Sequence, residues 1–266
     1  IILYETALQG IFWLLIPLAL PLIVAISQLA SDMLSEATTR FRIPRPLPRM
    51  DFSSGIPVEY ATMVAIPCML TSYESLSKLL SRLEVCSLGN QDENLCFALL
   101  TDFPDSSTED TEENTVLLRQ AIAETQRLNR RNPSGRSRFY LLHRQPVWND
   151  SQRIWMGYER KRGKLALLNS WLRQPGTQFS SVAGFHSQAL PGRIKYVITL
   201  DSDTLLPRDT AHKLVATMAH PLNKPEYDPR FQRVVKGYGI LQPGLAEEMP
   251  LYGQGRYAAM RSSVPG

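Results

Sequence analysis

The sequence predicts an α/β fold in which helices cover both faces of a mostly parallel sheet. Two observations carry this. Short apolar runs of the kind buried strands show alternate with segments whose leucines recur at helical spacing. Polar residues gather where those runs end, at Thr71-Ser72, Thr101-Asp102, His143-Arg144 and Asp201-Ser202-Asp203. Open parallel sheets bind their ligands at that edge. A third observation sets the N-terminus apart: no residue from Thr6 to Ser31 carries a charge.

Residues 11–26 are apolar all round, and a bilayer-spanning helix needs about 20 such residues. Pro17 and Pro21 are better tolerated in a membrane helix than in a soluble one. Arg40, Arg42, Arg45 and Arg49 follow, and basic residues mark the cytoplasmic side. The expectation is a transmembrane segment over 1–35 that leaves the rest of the chain in the cytoplasm. A signal peptide is disfavoured, because neither a basic start nor a small-residue cleavage site is evident. Residues 36–58 are expected to form a juxtamembrane linker, stiffened by Pro44, Pro46 and Pro48. The remaining domain is 59–266.

Within it, residues 62–70 read as the first strand. Leu76, Leu79, Leu80 and Leu83 mark the first helix, and residues 95–100 the second strand. Leu117, Leu118, Ala121, Ile122, Thr125 and Leu128 give the second helix, stopped by Asn132-Pro133-Ser134-Gly135. Residues 139–142 are the third strand, and Leu165, Leu168 and Leu172 mark the third helix. Residues 194–200 are the fourth strand. Ala211, Leu214, Val215 and Met218 form one face of the fourth helix, and residues 234–241 are a fifth strand.

Composition narrows the function classes. The 266 residues are 44 % hydrophobic with a net charge of only +4, which argues against a disordered chain and gives no reason to expect nucleic acid. Three cysteines, Cys68, Cys86 and Cys96, make no disulfide framework and read as reduced thiols. Charge is segregated. Residues 84–126 hold ten acids against Arg119, and residues 127–173 hold ten Arg and two Lys against Asp150 and Glu159. Most of both stretches is expected to be solvated surface.

The strongest chemical signal is Asp201-Ser202-Asp203, at the end of an apolar strand. Period-two geometry points both carboxylates the same way. Two converging carboxylates repel unless a cation lies between them, and Mg²⁺ or Mn²⁺ shares such ligands with phosphates and water. Three other strand-end chemistries fit less well. A haloacid-dehalogenase-type nucleophile wants Thr or Val where Leu205 stands. The Gly157-to-Lys164 spacing is one residue too long for a P-loop, and residues 67–70 hold no Gly for a dinucleotide turn. The second signal is Arg160, Lys161, Arg162 and Lys164 beside Gly163 at a helix start, suited to a diphosphate or to a solvated basic turn. Trp148, Trp155 and Tyr158 are expected to be core rather than a sugar platform. His143, His186, His212 and His220 lack metal-ligand spacing.

Taken in order, several segments resemble the glycosyltransferase region of the cyclic β-1,2-glucan synthases. They are residues 45–52, Gly55-Ile56-Pro57, residues 64–72, Leu100-Thr101-Asp102-Phe103-Pro104-Asp105, residues 159–165, residues 196–207 and Gly237-Tyr238-Gly239-Ile240-Leu241-Gln242-Pro243. The resemblance implies a GT-A-like, Rossmann-like fold. It implies an inverting transferase at the bacterial inner membrane that passes glucose from UDP-glucose to a glucan acceptor with a divalent metal, Mg²⁺ or Mn²⁺. It implies that Asp203 binds the metal and that Asp201 serves metal or nucleotide, the pair forming the catalytic centre. It implies that Asp102 and the edge from Pro67 to Thr71 hold the uridine and that Lys161 faces the diphosphate. Lys164 and Gln242 complete the implied donor-binding set. The general base is expected beyond Gly266, so that the domain is C-terminally incomplete. The alternatives are a family 2-type transferase making another polymer, a metal-dependent phosphohydrolase, and a non-catalytic sugar-nucleotide-binding module.

Overall fold

The computed structural model describes residues 2–41, 46–132, 137–174, 179–184 and 192–244, with the side chains of 2–18, 39, 181 and 182 outside that description. Pro44-Arg45, the helix stop at Pro133-Ser134-Gly135 and His186 fall outside the described residues. The chain divides into two compact units, Ile1–Leu47 and Pro48–Gly266.

The first unit is a single helix, α1 (Ile2–Phe41), so residues 36–41 continue a helix rather than a linker. Among the described residues no helix is long and apolar enough to cross a membrane. The transmembrane segment expected over 1–35 is therefore not borne out. From residue 19 onward α1 carries Ser27, Gln28, Ser31, Asp32 and Ser35 among its apolar residues. The first half of the apolar run lies where side chains are not described.

The second unit is the α/β domain. Its sheet has the order β6-β3-β2-β1-β7. The strands are β1 (Thr62–Met69), β2 (Leu95–Asp102), β3 (Phe139–His143), β6 (Ser181–Ala183) and β7 (Tyr196–Thr199). β3, β2, β1 and β7 are parallel, and β6 closes one edge antiparallel to β3. Helices α2 (Tyr73–Gly89), α3 (Glu112–Arg130), α4 (Arg160–Arg173) and α5 (Thr210–Ala219) complete it. Hairpins β4 (Val147–Asn149) with β5 (Ile154–Met156) and β8 (Glu226–Asp228) with β9 (Arg233–Lys236) stand outside the main sheet.

The central strands are buried on both faces, which is why they read as unbroken apolar runs. Val64, Ile66, Phe97 and Leu99 point to one face, where Leu76, Leu80 and Leu83 of α2, Ala121 and Leu128 of α3 and Val215 of α5 meet them. Met63, Ala65, Ala98 and Leu100 point to the other, against Leu168 and Trp171 of α4. Pro67, inside β1, removes no ladder bond. The β7 ladder ends opposite Ala65, where Leu200 N donates to the Ala65 carbonyl, and Pro67 lies beyond it on the same side.

Two elements differ from expectation. The fifth strand belongs to the β8–β9 hairpin, not to the main sheet. All four residues of β9 are exposed, so its valines form no core face. Trp148 and Tyr158 are exposed and Trp155 is half-buried, so the aromatics are not core. The two tryptophans instead face each other across the β4–β5 hairpin.

The order of the strands creates the site. From β1 the chain steps outward through β2 and β3, then returns to place β7 on the other flank of β1. Such a reversal is where open parallel sheets bind ligands, in the crevice outside the carboxyl ends of the strands, here β1 and β7. The loop after β7 is tied down from behind. Asn90, fully buried after α2, donates from Nδ2 to the carbonyls of Cys86 (3.1 Å) and Pro207 (3.1 Å), and its Oδ1 accepts from Ala211 N (2.9 Å). Removing these bonds strands several buried groups at once. Asn90→Ala is expected to lower unfolding free energy by about 3 kcal/mol in urea titration, with an unchanged denaturant slope.

Candidate functional site

At the carboxyl edge, register sets Met69 of β1 opposite Asp102 of β2, and Thr101 opposite His143 of β3. Asp102 has no exposed surface. Its Oδ2 accepts from Arg144 Nη2 at 2.8 Å and Nε at 3.2 Å, and its Oδ1 from Lys164 Nζ at 2.6 Å. Lys164 also donates to the carbonyl of Cys68 at 2.7 Å. Two cations from different elements thus converge on one carboxylate out of water. Each charge is costly to bury alone, so removing any one leaves the others uncompensated.

Two glycines make room for this cluster. A Cβ at Gly157 would stand 2.3 Å from Asp102 Oδ2, and one at Gly163 would stand 2.7 Å from Arg144 Nη1. The basic segment is therefore not only a surface turn. Its glycines close over the buried ions, and its cations divide between the interior and the crevice.

Lys161 faces the crevice and pairs with Asp201 at the end of β7; both side chains are about half exposed, 52 % and 59 %. Asp201 and Asp203 lie on an exposed loop between buried Leu200 and Leu206. β7 ends at Thr199, so strand alternation does not orient the two carboxylates. A turn does, closed by Thr204 N donating to the Asp201 carbonyl at 3.0 Å and steadied by Arg82 Nη1 on the Ser202 carbonyl at 2.7 Å. Arg160 reaches the other way, to Asp105 Oδ2 at 2.5 Å.

The remaining predicted positions scatter. Pro67 is buried within β1. Thr71 is exposed, one residue before Ser72, whose Oγ caps α2 by accepting from Ser75 N at 3.1 Å. Gln242 is exposed in the chain beyond β9. The structure therefore gathers Asp102 and Lys164 inside the fold and Lys161 and Asp201 at its surface, and leaves Gln242 apart. Arg144 was legible only as a polar strand end. Its partnership with Asp102 follows from β3 lying beside β2, which sequence spacing does not give.

Among the described residues no group of three or more His, Cys, Asp or Glu side chains is placed to hold a metal ion. Asp201 and Asp203 are nonetheless a donor set that fits a hard cation. Mg²⁺ takes one or two carboxylates and fills its other positions with substrate phosphates and water.

His143 is buried against Phe103, with Nδ1 2.9 Å from Thr101 Oγ1 and Nε2 without a partner among the described residues. Burial pushes its pKa down from 6.5 to about 4. Burial likewise pushes the Cys68 thiol up to about 12, which keeps it protonated and inert. The three cysteines are free and buried.

No protein-family model matches the chain. Over 219 residues it is 40 % identical to the cyclic beta-(1,2)-glucan synthase NdvB of Rhizobium meliloti (strain 1021), a match covering 82 % of this chain. The chain spans only 8 % of the length of that curated relative. The matched protein is a glucan synthase by name, and the resemblance read from the motifs is the one the comparison returns.

Two outcomes follow from the buried edge. Asp102→Asn leaves two buried cations without their counterion and is expected to cost about 3–5 kcal/mol in denaturant unfolding. His143 titrates lower in the fold than when unfolded, so its contribution is complete above pH 6.5 and is lost as pH falls towards 4. Over that window His143 by itself should cost the wild-type chain about 3 kcal/mol, and His143→Gln should reduce the slope by that share in unfolding curves taken at each pH.

Proposed function

We propose, on the premise that this chain is related to a stretch of a cyclic β-1,2-glucan synthase, that its α/β domain is the sugar-nucleotide-binding part of a GT-A-type glucosyltransferase. The donor is UDP-glucose and the acceptor a growing β-1,2-glucan. The observation that carries the reading is the placement of Lys161 against Asp201, with Asp203 two residues on, at the strand-order reversal of the sheet. A lysine beside two exposed carboxylates suits a diphosphate that arrives with its cation.

In this reading Asp201 and Asp203 hold Mg²⁺ or Mn²⁺, and Lys161 moves from Asp201 to the diphosphate as the nucleotide binds. The cation, when bound, supplies neutralisation of the charge that develops on the departing UDP. Exposed Met69 and Thr71, on either side of buried Leu70, face the base, and Asp102 fixes that edge from beneath: its own carbonyl accepts from Leu70 N at 2.9 Å. An acceptor hydroxyl attacks the anomeric carbon from the face opposite the leaving group, which requires a carboxylate base. We assign that base to no residue of this chain.

The charge-free run from Thr6 to Ser31 and the arginines after it support a tether to the bacterial inner membrane, with the domain on the cytoplasmic side. Recovery of the full chain with the membrane fraction, resistant to high salt, is the expected outcome. Full solubility would overturn the tether.

Calorimetric titration of UDP with Mn²⁺ or Mg²⁺ tests the site. Binding is expected to need the metal, to vanish in Asp203→Ala, and to weaken by about tenfold or more in Lys161→Ala, the loss of one charge-assisted bond. Equal binding with and without metal would overturn the assignment of Asp201 and Asp203.

A further inference from the structure

We propose that Arg144 is a positioning residue: it fixes the first turn of α4 and thereby holds Lys161 where a nucleoside diphosphate is bound. The inference rests on the sugar-nucleotide reading above and extends it to a side chain that lies behind the crevice.

The guanidinium bridges three elements. It stands just past β3, binds Asp102 of β2 through two nitrogens, and donates from Nη2 to the carbonyl of Arg160, the first residue of α4, at 3.2 Å. That turn is strained. Glu159 and Arg160 have φ of 52° and 41°, in the left-handed region that side chains disfavour. Such a conformation persists only where its surroundings over-determine it. Arg144 supplies one constraint and Lys164 the next, through Asp102 and the Cys68 carbonyl. Lys161 projects between these two pins, one residue from the first and three from the second.

The slot is built for this side chain. A Cβ at Gly163 would meet Arg144 Nη1 at 2.7 Å and the Tyr158 carbonyl at 2.3 Å, and one at Gly157 would meet Arg144 Nη2 at 3.1 Å. Only residues without a side chain leave the guanidinium its place. Lysine would not replace it. A planar fork serves a carboxylate and a carbonyl at once, whereas an ammonium on a flexible stem is a point charge. Arg144→Lys therefore keeps the charge that balances Asp102 and removes the bridge to α4.

The test compares the full wild-type chain with Arg144→Lys, Lys161→Ala and the double variant, by UDP titration with Mn²⁺ and by thermal melting. Arg144→Lys, folded at the assay temperature, is expected to weaken UDP about tenfold, the order expected when a charge-assisted contact is lost. In the Lys161→Ala background the same change is expected to cost less than about twofold, because Arg144 acts through Lys161. An equal loss in both backgrounds, or unchanged affinity in Arg144→Lys, would overturn the proposal.

A second readout does not depend on UDP. Arg144→Lys is expected to raise the rate at which an amine-selective reagent labels Lys161 several-fold, with buried Lys164 still protected. If the wild type binds no UDP, the sugar-nucleotide reading fails, and the labelling rate alone decides the positioning role: faster labelling supports it and an unchanged rate overturns it. Arg144→Gln, which keeps a donor for Asp102 and loses the reach to the Arg160 carbonyl, should show the same labelling change and serves if Arg144→Lys does not fold.

Discussion

A carboxylate taken wholly out of water must be met by cations, and Asp102 is met by two. Arg144 comes from the end of β3 and Lys164 from α4. Neither element is near β2 in sequence, so the ion cluster works as a clasp. It draws the helix that follows the β4–β5 hairpin down onto the carboxyl edge of the sheet. Because each charge is tolerable only in the presence of the others, the cluster specifies one arrangement of that edge. The exposed chemistry at the crevice, Lys161 beside Asp201, is arranged on top of it.

The glycines belong to the same constraint. Gly157 and Gly163 flank a guanidinium and a carboxylate so closely that any side chain would occupy their place. A segment that reads as a string of cations is thus half interior and half surface. Arg160 turns to Asp105, Lys161 to Asp201, and Lys164 inward. Helical spacing spreads neighbouring residues to different sides, so one short motif joins three strand ends.

Sheet topology supplies the other half. β1 is central because β2 and β7 both pair with it, and the reversal of strand order opens beside it. On one side of that opening is the clasped helix. On the other is a loop held between buried Leu200 and Leu206 and anchored from behind by Asn90. The two are pinned independently, and their exposed groups meet in an ion pair.

The alternation of buried strands and helices was legible in the sequence because burial on both faces of a sheet leaves unbroken apolar runs, as in residues 62–68 and 95–100. The carboxyl-edge residues were legible because polar side chains end those runs. Residues 234–241 misled, because a valine pair in a strand reads the same whether it joins a sheet or an exposed hairpin. Trp148 and Tyr158 misled because aromatic character does not say whether a side chain faces the core or water. The sequence by itself determined the fold class, the four parallel strands and the residues at their ends. Only the tertiary structure decided that Asp102 and Lys164 face inward and Lys161 and Asp201 outward. That division depends on which strands are neighbours, and strand order is set by long-range pairing and by the cost of burying charge, neither of which local pattern records.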